Sequence, residues 1–381
     1  MAMSLIFIFF FLSYGGIHYY FFCRLKEALH PPFPVAVCII VFLALMVTAP
    51  VMVHAVGRWG IPLSSRIFAY FCYSWMAFIF FYFCISLTFD FSRLVVYLAG
   101  LFLPRMMFFL LPSPIYRFFL TLLISLGILT YGFFEAVNIR TEKVVIKSAK
   151  LPPSLERIRI VQISDLHIGM IMRGERLKKI IAKVKEAQPD ILVSTGDLVD
   201  GETDNLFTED ELFQNIRPRL GKFAVTGNHE FYAGLDRALD FTRKAGFTIL
   251  RGEGATANGL INIAGFDDMA MWGGNSSRAV SFNKVLAVLP PEKFTLLLYH
   301  RPIIENNSLG AYDLQLSGHT HKGQIFPFSL LTGLFFPRQA GLFTFPEGSL
   351  LYVSRGAGTW GPPVRFLAPP EITVIDLVRK K

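Results

Sequence analysis

The stretch Arg159–Gly169 reads RIVQISDLHIG, and its change from an apolar run to ligand-type residues decides the fold. A short, nearly continuous apolar run is typical of a strand buried on both faces of a sheet. The same change recurs, in order, in STGDLVDG at 194–201, VTGNHEFY at 225–232, LYHRP at 298–302 and SGHTHKGQI at 317–325. Because the site of an open α/β sheet lies at the carboxyl ends of its strands, we expect these segments to converge.

Further patterns extend this prediction over the C-terminal part of the chain. Besides Arg159–Ser164, apolar runs predict strands at Ile191–Thr195, Lys222–Thr226, Leu260–Ala264, Phe294–Tyr299, Leu314–Ser317, Leu350–Ser354 and Ile372–Leu377. Apolar residues recur at helical spacing in Arg176–Ala187, which Pro189 ends, and more weakly in Leu235–Ala245, which stops at Gly246. Strands alternating with helices indicate an α/β layered domain.

The N-terminal part has a different composition. Residues 1–136 carry only 7 of the 37 Lys and Arg and 3 of the 28 Asp and Glu, but 23 of the 39 Phe. The chain as a whole is 53% hydrophobic and 17% charged, which excludes a disordered chain. A single soluble domain is excluded as well, because the apolar excess lies in one half. The composition therefore predicts a membrane domain over 1–136 and a second domain over 141–381.

Four stretches are long and apolar enough to span a bilayer, which takes a helix of about 20 residues. They are Ser4–Cys23, Phe33–Val53, Ile67–Thr88 and the shorter Phe118–Phe134. Leu94–Leu111 is apolar but contains Pro104 and Arg105, so it is predicted to lie in the membrane interface, with a fifth span as the alternative. We expect a multi-pass protein of the cell membrane. Basic residues are balanced between the two sides of the membrane, so the side on which the second domain lies is not predicted. No oligomeric state is predicted either.

The histidines indicate a metal site. All five histidines after residue 54 lie at the predicted strand ends, while the four cysteines all lie in the N-terminal half. Asp, His and Asn without Cys suit Mn, Fe, Zn or Ni. Strand alternation would place both side chains of a D-x-H pair on one face. Two ions, with the Asp197 carboxylate bridging them, could share seven ligands: Asp165, His167, Asp197, Asn228, His300, His319 and His321. Such an ion pair, about 3.5–4 Å apart, clamps both oxygens of an in-line displacement.

These five motifs, in this order, resemble those of the calcineurin-like metallophosphoesterase superfamily over about 141–381. The tail Ser354–Phe366 (SRGAGTWGPPVRF), followed by PPEITVIDL, looks like the membrane-associated bacterial branch of that superfamily. The resemblance implies layered β-sheets flanked by helices and two divalent metal ions, for example manganese.

The resemblance also implies a role for each matching residue. Asp165, His167 and His321 would bind the first ion, with Asp197 bridging. Asn228, His300 and His319 would bind the second. His229 would protonate or polarise the leaving oxygen, and a hydroxide held between the ions would be the nucleophile. Asp200 and Glu230 are expected to support the site from behind the ligands.

Two features of the motifs bear on the substrate. Lys322 stands where the branch has a second glycine, so either it contacts a substrate phosphate or the loop differs. Arg355 and Trp360, in the glycine-rich tail, are candidates for substrate contact or for packing. Gln324–Phe345 is unusually apolar for a loop. It is predicted to be buried core, with a membrane-facing lip that admits a lipid-linked substrate as the alternative.

The function expected from these observations is hydrolysis of a phosphoester or pyrophosphate bond by a membrane-bound dimetal enzyme. Membrane attachment favours a lipid-linked or envelope substrate, and resemblance to the branch makes UDP-diacylglucosamine a specific case. The expected partners are the bilayer and a phosphorylated small-molecule or lipid-linked substrate. Nucleic acid is not expected, since basic residues form no stripe with aromatics. A catalytically idle metal-binding sensor or scaffold, and a transporter with an attached hydrolase, are the alternatives.

Overall fold

The structure is a computed structural model that describes residues 2–57, 62–100, 112–200, 209–268 and 281–380. The chain divides into two compact units. The helical unit comprises Met1–Phe134 with Gly361–Val364, and the α/β unit comprises Glu135–Trp360 with Arg365–Lys381. An N-terminal helical region followed by a C-terminal α/β domain is the organisation that the sequence predicts, and it is confirmed.

The helical part of the chain consists of long apolar helices. They are α1 (Ala2–Leu29), α2 (Phe33–Gly57), α3 (Pro62–Gly100) and α4 (Pro114–Val137). Among the described residues, three stretches are long and apolar enough to cross a membrane: Phe33–Val56, Leu63–Gly100 and Pro114–Val137. They contain three of the four predicted spans. The first predicted span lies in α1, which is not one of these three, so the number of four stays a prediction.

The segment Leu94–Leu111 is described only in its first seven residues, so its place in the membrane interface stays a prediction. Leu94–Gly100 forms the last turns of α3, which is 39 residues long, and residues 101–111 lie outside the described part of the chain. Asp90, which lies between the two predicted segments, accepts a hydrogen bond from Tyr20 and lies 3.3 Å from Arg24. Because the carboxylate has these partners, its charge does not end the helix.

The α/β unit contains two six-stranded sheets within the described residues. The strands are β1 (Arg140–Ser148), β2 (Arg157–Ile163), β3 (Ile191–Ser194), β4 (Lys222–Ala224), β5 (Thr248–Ile249), β6 (Glu253–Ala257), β7 (Ile261–Phe266), β8 (Thr295–Tyr299), β9 (Leu314–Ser317), β10 (Gly341–Thr344), β11 (Leu350–Val353) and β12 (Glu371–Arg379). Their orders are β1-β12-β2-β3-β4-β5 and β10-β11-β9-β8-β7-β6. All eight predicted strands are present, as β2, β3, β4, β7, β8, β9, β11 and β12.

Six α-helices of the α/β unit lie among the described residues. They are α5 (Glu175–Glu186), α6 (Glu209–Gln214), α7 (Asn228–Tyr232), α8 (Leu235–Lys244), α9 (Phe282–Leu286) and α10 (Phe328–Phe335). One core lies between the sheets, where residues such as Ile160 of β2 pack with Leu296 of β8. A second core joins the first sheet to α5 and α8, and a third joins the second sheet to α9. This layering brings the carboxyl ends of β2, β3, β4, β8 and β9 to one side.

Candidate metal centre

The predicted ligands directly follow the carboxyl ends of five strands. β2, β3 and β4 are parallel neighbours in the first sheet, and β8 and β9 are parallel neighbours in the second. Asp165 and His167 follow β2, Asp197 follows β3, Asn228 follows β4, His300 follows β8, and His319 and His321 follow β9. All are buried except His319, which is half-buried. Polar groups so deeply buried require partners, which here are one another.

The backbone conformation that orients these side chains differs from the extended conformation that strand alternation predicts. β2 ends at Ile163, so Asp165 and His167 do not lie on pleated backbone. Both adopt left-handed conformations, with φ of 52° and 50°, and Asp197 does the same at 50°. The expectation that strand alternation directs the D-x-H pair was therefore wrong. Left-handed turns, which are unfavourable for residues with a Cβ atom, direct the ligands instead.

The donor atoms form three overlapping groups, each with its members within 4.8 Å of one another. The groups are Asp165, His167 and His321; His167, Asp197 and His229; and Asp197, His300 and His319. Oδ2 of Asp197 lies 3.2 Å from Nε2 of His300 and 3.9 Å from Nε2 of His167. One carboxylate thus faces ligands from both sheets, which suits a residue shared between two ions.

The protonation of His167 and His321 fits divalent metal ions. Burial lowers the pKa of His167 to about 4 and that of His321 well below its usual value, so both imidazoles are neutral at pH 7 and keep a lone pair. Nδ1 of His300 lies 2.8 Å from the Thr195 carbonyl. Since Nδ1 donates there, Nε2 is left to bind a metal. Oδ1 of Asn228 is buried and has no hydrogen-bond partner among the described residues, which suits a ligand oxygen.

His229 is placed beside the ligands and is oriented by a carboxylate. Its Nδ1 lies 3.0 Å from Oδ1 of Asp200, and its ring centroid lies 4.5 Å from that of His167. Burial lowers the pKa of His229, but the carboxylates of Asp197 and Asp200 outweigh it and raise the pKa to about 9. At neutral pH His229 is therefore a proton donor. The exposed Trp360 ring lies 5.8 Å from the His229 ring, at the mouth of the site.

Glu230 and a close-approach glycine hold the loops together. Oε2 of Glu230 accepts hydrogen bonds from the backbone N of Gly227 at 2.7 Å and of Asp197 at 3.0 Å, and Oε1 accepts one from Leu198 N at 2.7 Å. A Cβ atom on Gly318 would lie 2.2 Å from Oδ2 of Asp165, so only glycine fits there. Glu230 thus supports the loop that carries Asp197, as expected from its motif.

Arg365 contacts the site although no sequence argument singled it out. Its side chain is fully buried, and it donates to the backbone carbonyls of His321, Arg355, Gly356, Gly358 and Ala368. Its Nη2 also lies 3.1 Å from Nδ1 of His321. Because a guanidinium has no acceptor, that ring nitrogen accepts the hydrogen bond. The tail motif Ser354–Phe366 contains two arginines, and the signal was the second one, which follows two prolines and a valine.

The two predicted substrate contacts line a cavity of about 770 Å³ next to the site. Lys322 is half-buried there and has a φ of 51°, a left-handed conformation that favours glycine. Arg355 also lines the cavity, but its guanidinium contacts the carboxylates of Glu142 and Glu371. The structure therefore shows Arg355 engaged in ion pairs within the protein.

Comparison with known proteins identifies the family. The calcineurin-like phosphoesterase family matches residues 158–323, which include all seven predicted ligands. A protein of Aquifex aeolicus described as an uncharacterized metallophosphoesterase is 39% identical over 66% of this chain and 96% of its own length. Another of Campylobacter jejuni is 33% identical over 78% of this chain and 79% of its own.

A vertebrate relative is named both for a transmembrane part and for a metallophosphoesterase domain. A zebrafish (Danio rerio) transmembrane protein with metallophosphoesterase domain is 33% identical over 68% of this chain and 62% of its own length. The ordered motifs, the convergent Asp, His and Asn side chains and these relatives agree with one another. The chain belongs to the calcineurin-like phosphoesterase family and is a metal-dependent phosphohydrolase.

Proposed function

We propose that this protein is a membrane-bound phosphohydrolase that uses two divalent metal ions to cleave a phosphoester or pyrophosphate bond. Asp165, His167 and His321 hold one ion, and Asn228, His300 and His319 hold the other. Asp197 binds both. The observation that carries this proposal is the position of the Asp197 carboxylate, which belongs to two of the three donor groups. Mn, Fe, Zn and Ni are the ions that such a donor set suits.

When bound, the ions supply positive charge for the phosphoryl oxygens and make a water molecule acidic enough to act as nucleophile. His229 supplies the proton for the leaving oxygen. Its pKa of about 9 keeps it protonated at neutral pH, and Asp200, 3.0 Å from Nδ1, fixes the orientation of the ring. The other ring nitrogen is then the one that faces the substrate. A positioned acid of this kind contributes about 10²–10⁴-fold in rate.

The substrate proposed is lipid-linked, with UDP-diacylglucosamine as a specific case. Three apolar helices in the same chain support attachment to a membrane, with a membrane domain over 1–136 and the catalytic domain over 141–381. The cavity beside the site combines apolar walls with Lys322 and Arg355. A molecule with both acyl chains and phosphates matches such a cavity better than a free nucleotide does. Phosphate contact by Lys322 and Arg355 is part of the proposal.

The test uses the full chain in detergent, stripped of metal and then given Mn²⁺. Hydrolysis of a chromogenic phosphodiester is compared for wild type, Asp197→Ala and His229→Ala. Asp240→Ala is the matched control, because Asp240 is an exposed aspartate in an ion pair on α8. We expect turnover only with metal, loss of turnover in both site variants, and wild-type turnover in the control.

Metal content distinguishes the two site variants. Asp197→Ala is expected to lose bound metal, whereas His229→Ala keeps it. The proposed reaction would be contradicted if the wild-type chain bound metal but cleaved none of the diester, the monoester and UDP-diacylglucosamine.

A further inference from the structure

Helix α10 is the most exposed apolar element of the α/β unit. None of its eight residues is buried, and its sequence FSLLTGLF contains no charged side chain. Leu334 is 76% exposed and Phe335 is 80% exposed, with Leu330 and Leu331 exposed on the same helix. The prediction that this segment is buried core was therefore wrong. An apolar patch of this kind marks a contact with another surface.

Both ends of α10 are fixed to the metal-site loops. The short turn His321–Gly323 packs against the helix at its N-terminal side. At the other end, the ring of Phe336 lies 5.1 Å from the ring of His319. Oγ1 of Thr320 donates a hydrogen bond of 2.6 Å to the carbonyl of Gln339. Whatever contacts α10 is consequently held within reach of the predicted ligands.

Basic side chains lie beside this apolar surface. The cavity of about 770 Å³ is lined by residues of α10 and β10 together with Lys143 and Lys322. Glu142 and Glu371 also line it, and both carboxylates are paired with Arg355. Arg338, which follows the helix, is exposed and lies over the ring of Phe345. Apolar side chains next to cations match the interface of an anionic bilayer, where acyl chains lie beneath phosphate groups.

We propose that α10, with the neighbouring exposed Leu342 of β10, inserts into the interfacial layer of an anionic bilayer. The occupant is a bilayer because the same chain carries three helices long and apolar enough to anchor it at one. Each apolar side chain removed from water contributes favourably, and the nearby cations add attraction to the headgroups. The inference rests on the proposed membrane attachment and places the metal centre at the membrane surface, where a lipid-linked phosphoester would be cleaved.

The test measures lipid contact directly and does not depend on catalysis. An environment-sensitive fluorescent amino acid is incorporated at position 334 of the full chain, which is placed in nanodiscs of phosphatidylcholine and phosphatidylglycerol. Position 288 is the matched control, since Val288 is an apolar residue of the same unit and is 79% exposed. A probe at Leu330 keeps the test valid if position 334 disturbs the helix.

We expect the emission at 334 to shift to shorter wavelength and to lose more than half its intensity when the lipids carry doxyl quenchers in their acyl chains. The probe at 288 should keep the emission of a water-exposed group. Water-like emission at both 334 and 330 would overturn the inference. A blue shift without lipid quenching would overturn it too, because a second copy or another protein would then cover α10. Equal quenching in phosphatidylcholine alone would refute the need for anionic lipid.

The result of the lipid-contact test can be distinguished from the result of the test of the proposed function. Quenching at 334 in a chain that cleaves no phosphoester would support the membrane contact and reject the proposed reaction. Metal-dependent cleavage with a water-exposed probe would do the reverse.

Discussion

Replacing Arg365 by lysine is expected to destabilise the α/β unit by about 1 kcal/mol or more. The guanidinium donates to five backbone carbonyls and to Nδ1 of His321, six acceptors in all. Burial lowers its pKa to about 9, which leaves it charged at neutral pH. The carbonyls of His321 and Gly356 also accept backbone hydrogen bonds, so four of the six acceptors depend on Arg365 alone. A lysine ammonium has three donors, so at least one of these four buried acceptors loses its partner. At about 1–3 kcal/mol for each, the lower bound is about 1 kcal/mol. Arg365→Met removes all the donors and should cost more.

Thermal unfolding of the metal-free full chain in detergent, followed by tryptophan fluorescence, measures this cost. For a domain of this size, about 1 kcal/mol corresponds to a fall in Tm of roughly 2–4 °C. The control is Arg243→Lys on the exposed face of α8, which should leave Tm unchanged. If Arg365→Lys unfolds at the same temperature as Arg243→Lys, the carbonyl cage does not hold the tail loop and the reasoning is refuted.

Three further substitutions test neighbouring parts of the structure. Glu230→Gln turns an amide group toward backbone N–H donors, so the affinity for Mn²⁺ measured by calorimetric titration should fall about 10–100-fold; an unchanged affinity would contradict this role. Asp200→Asn should lower kcat about tenfold or more with unchanged metal content, because it weakens the orientation of His229; an unchanged kcat would count against it. The hydrogen bond from Arg159 lowers the pKa of Asp376. The charged pair therefore stabilises the fold above the unfolded-state pKa of about 3.9, and this stabilisation is lost as the pH falls through the lowered pKa. Asp376→Asn should cost about 1 kcal/mol at neutral pH and nothing in acid, as urea unfolding would show; a cost independent of pH would exclude the ion pair as its cause.

The buried strands could be predicted because their signal is local. β3 and β8 have all residues buried, so each appears in the sequence as an uninterrupted apolar run. β1 gives no such signal. Its sequence RTEKVVIKS is mostly charged or polar, since it lies at the edge of its sheet with much of its surface exposed. The same reasoning explains α10, whose apolar sequence was interpreted as core because sequence alone does not report exposure.

The metal ligands could be recognised in the sequence, whereas the residues and backbone conformations that position them could not. His and Asp at strand ends are recognisable one motif at a time, because the fold places strand ends together. Arg365 acts on His321 from a distance of 44 residues in sequence, and its role depends on carbonyls that every residue type possesses. The left-handed backbone at His167 and Asp197 could not be predicted from the sequence either, because neither residue type requires that conformation.

The geometry of the site couples its stability to its chemistry. His167, Asp197 and His321 are held in left-handed conformations, and such strain costs about 1–2 kcal/mol for each residue. Burial also raises the pKa of Asp165 to about 6, which means that its charged form is less favourable there than in water. Both features oppose folding. Bound divalent ions would offset them, because metal binding to the folded chain would add directly to the free energy of unfolding. A chain that keeps strained, buried donors at five strand ends is therefore best explained by the metal chemistry that those donors support.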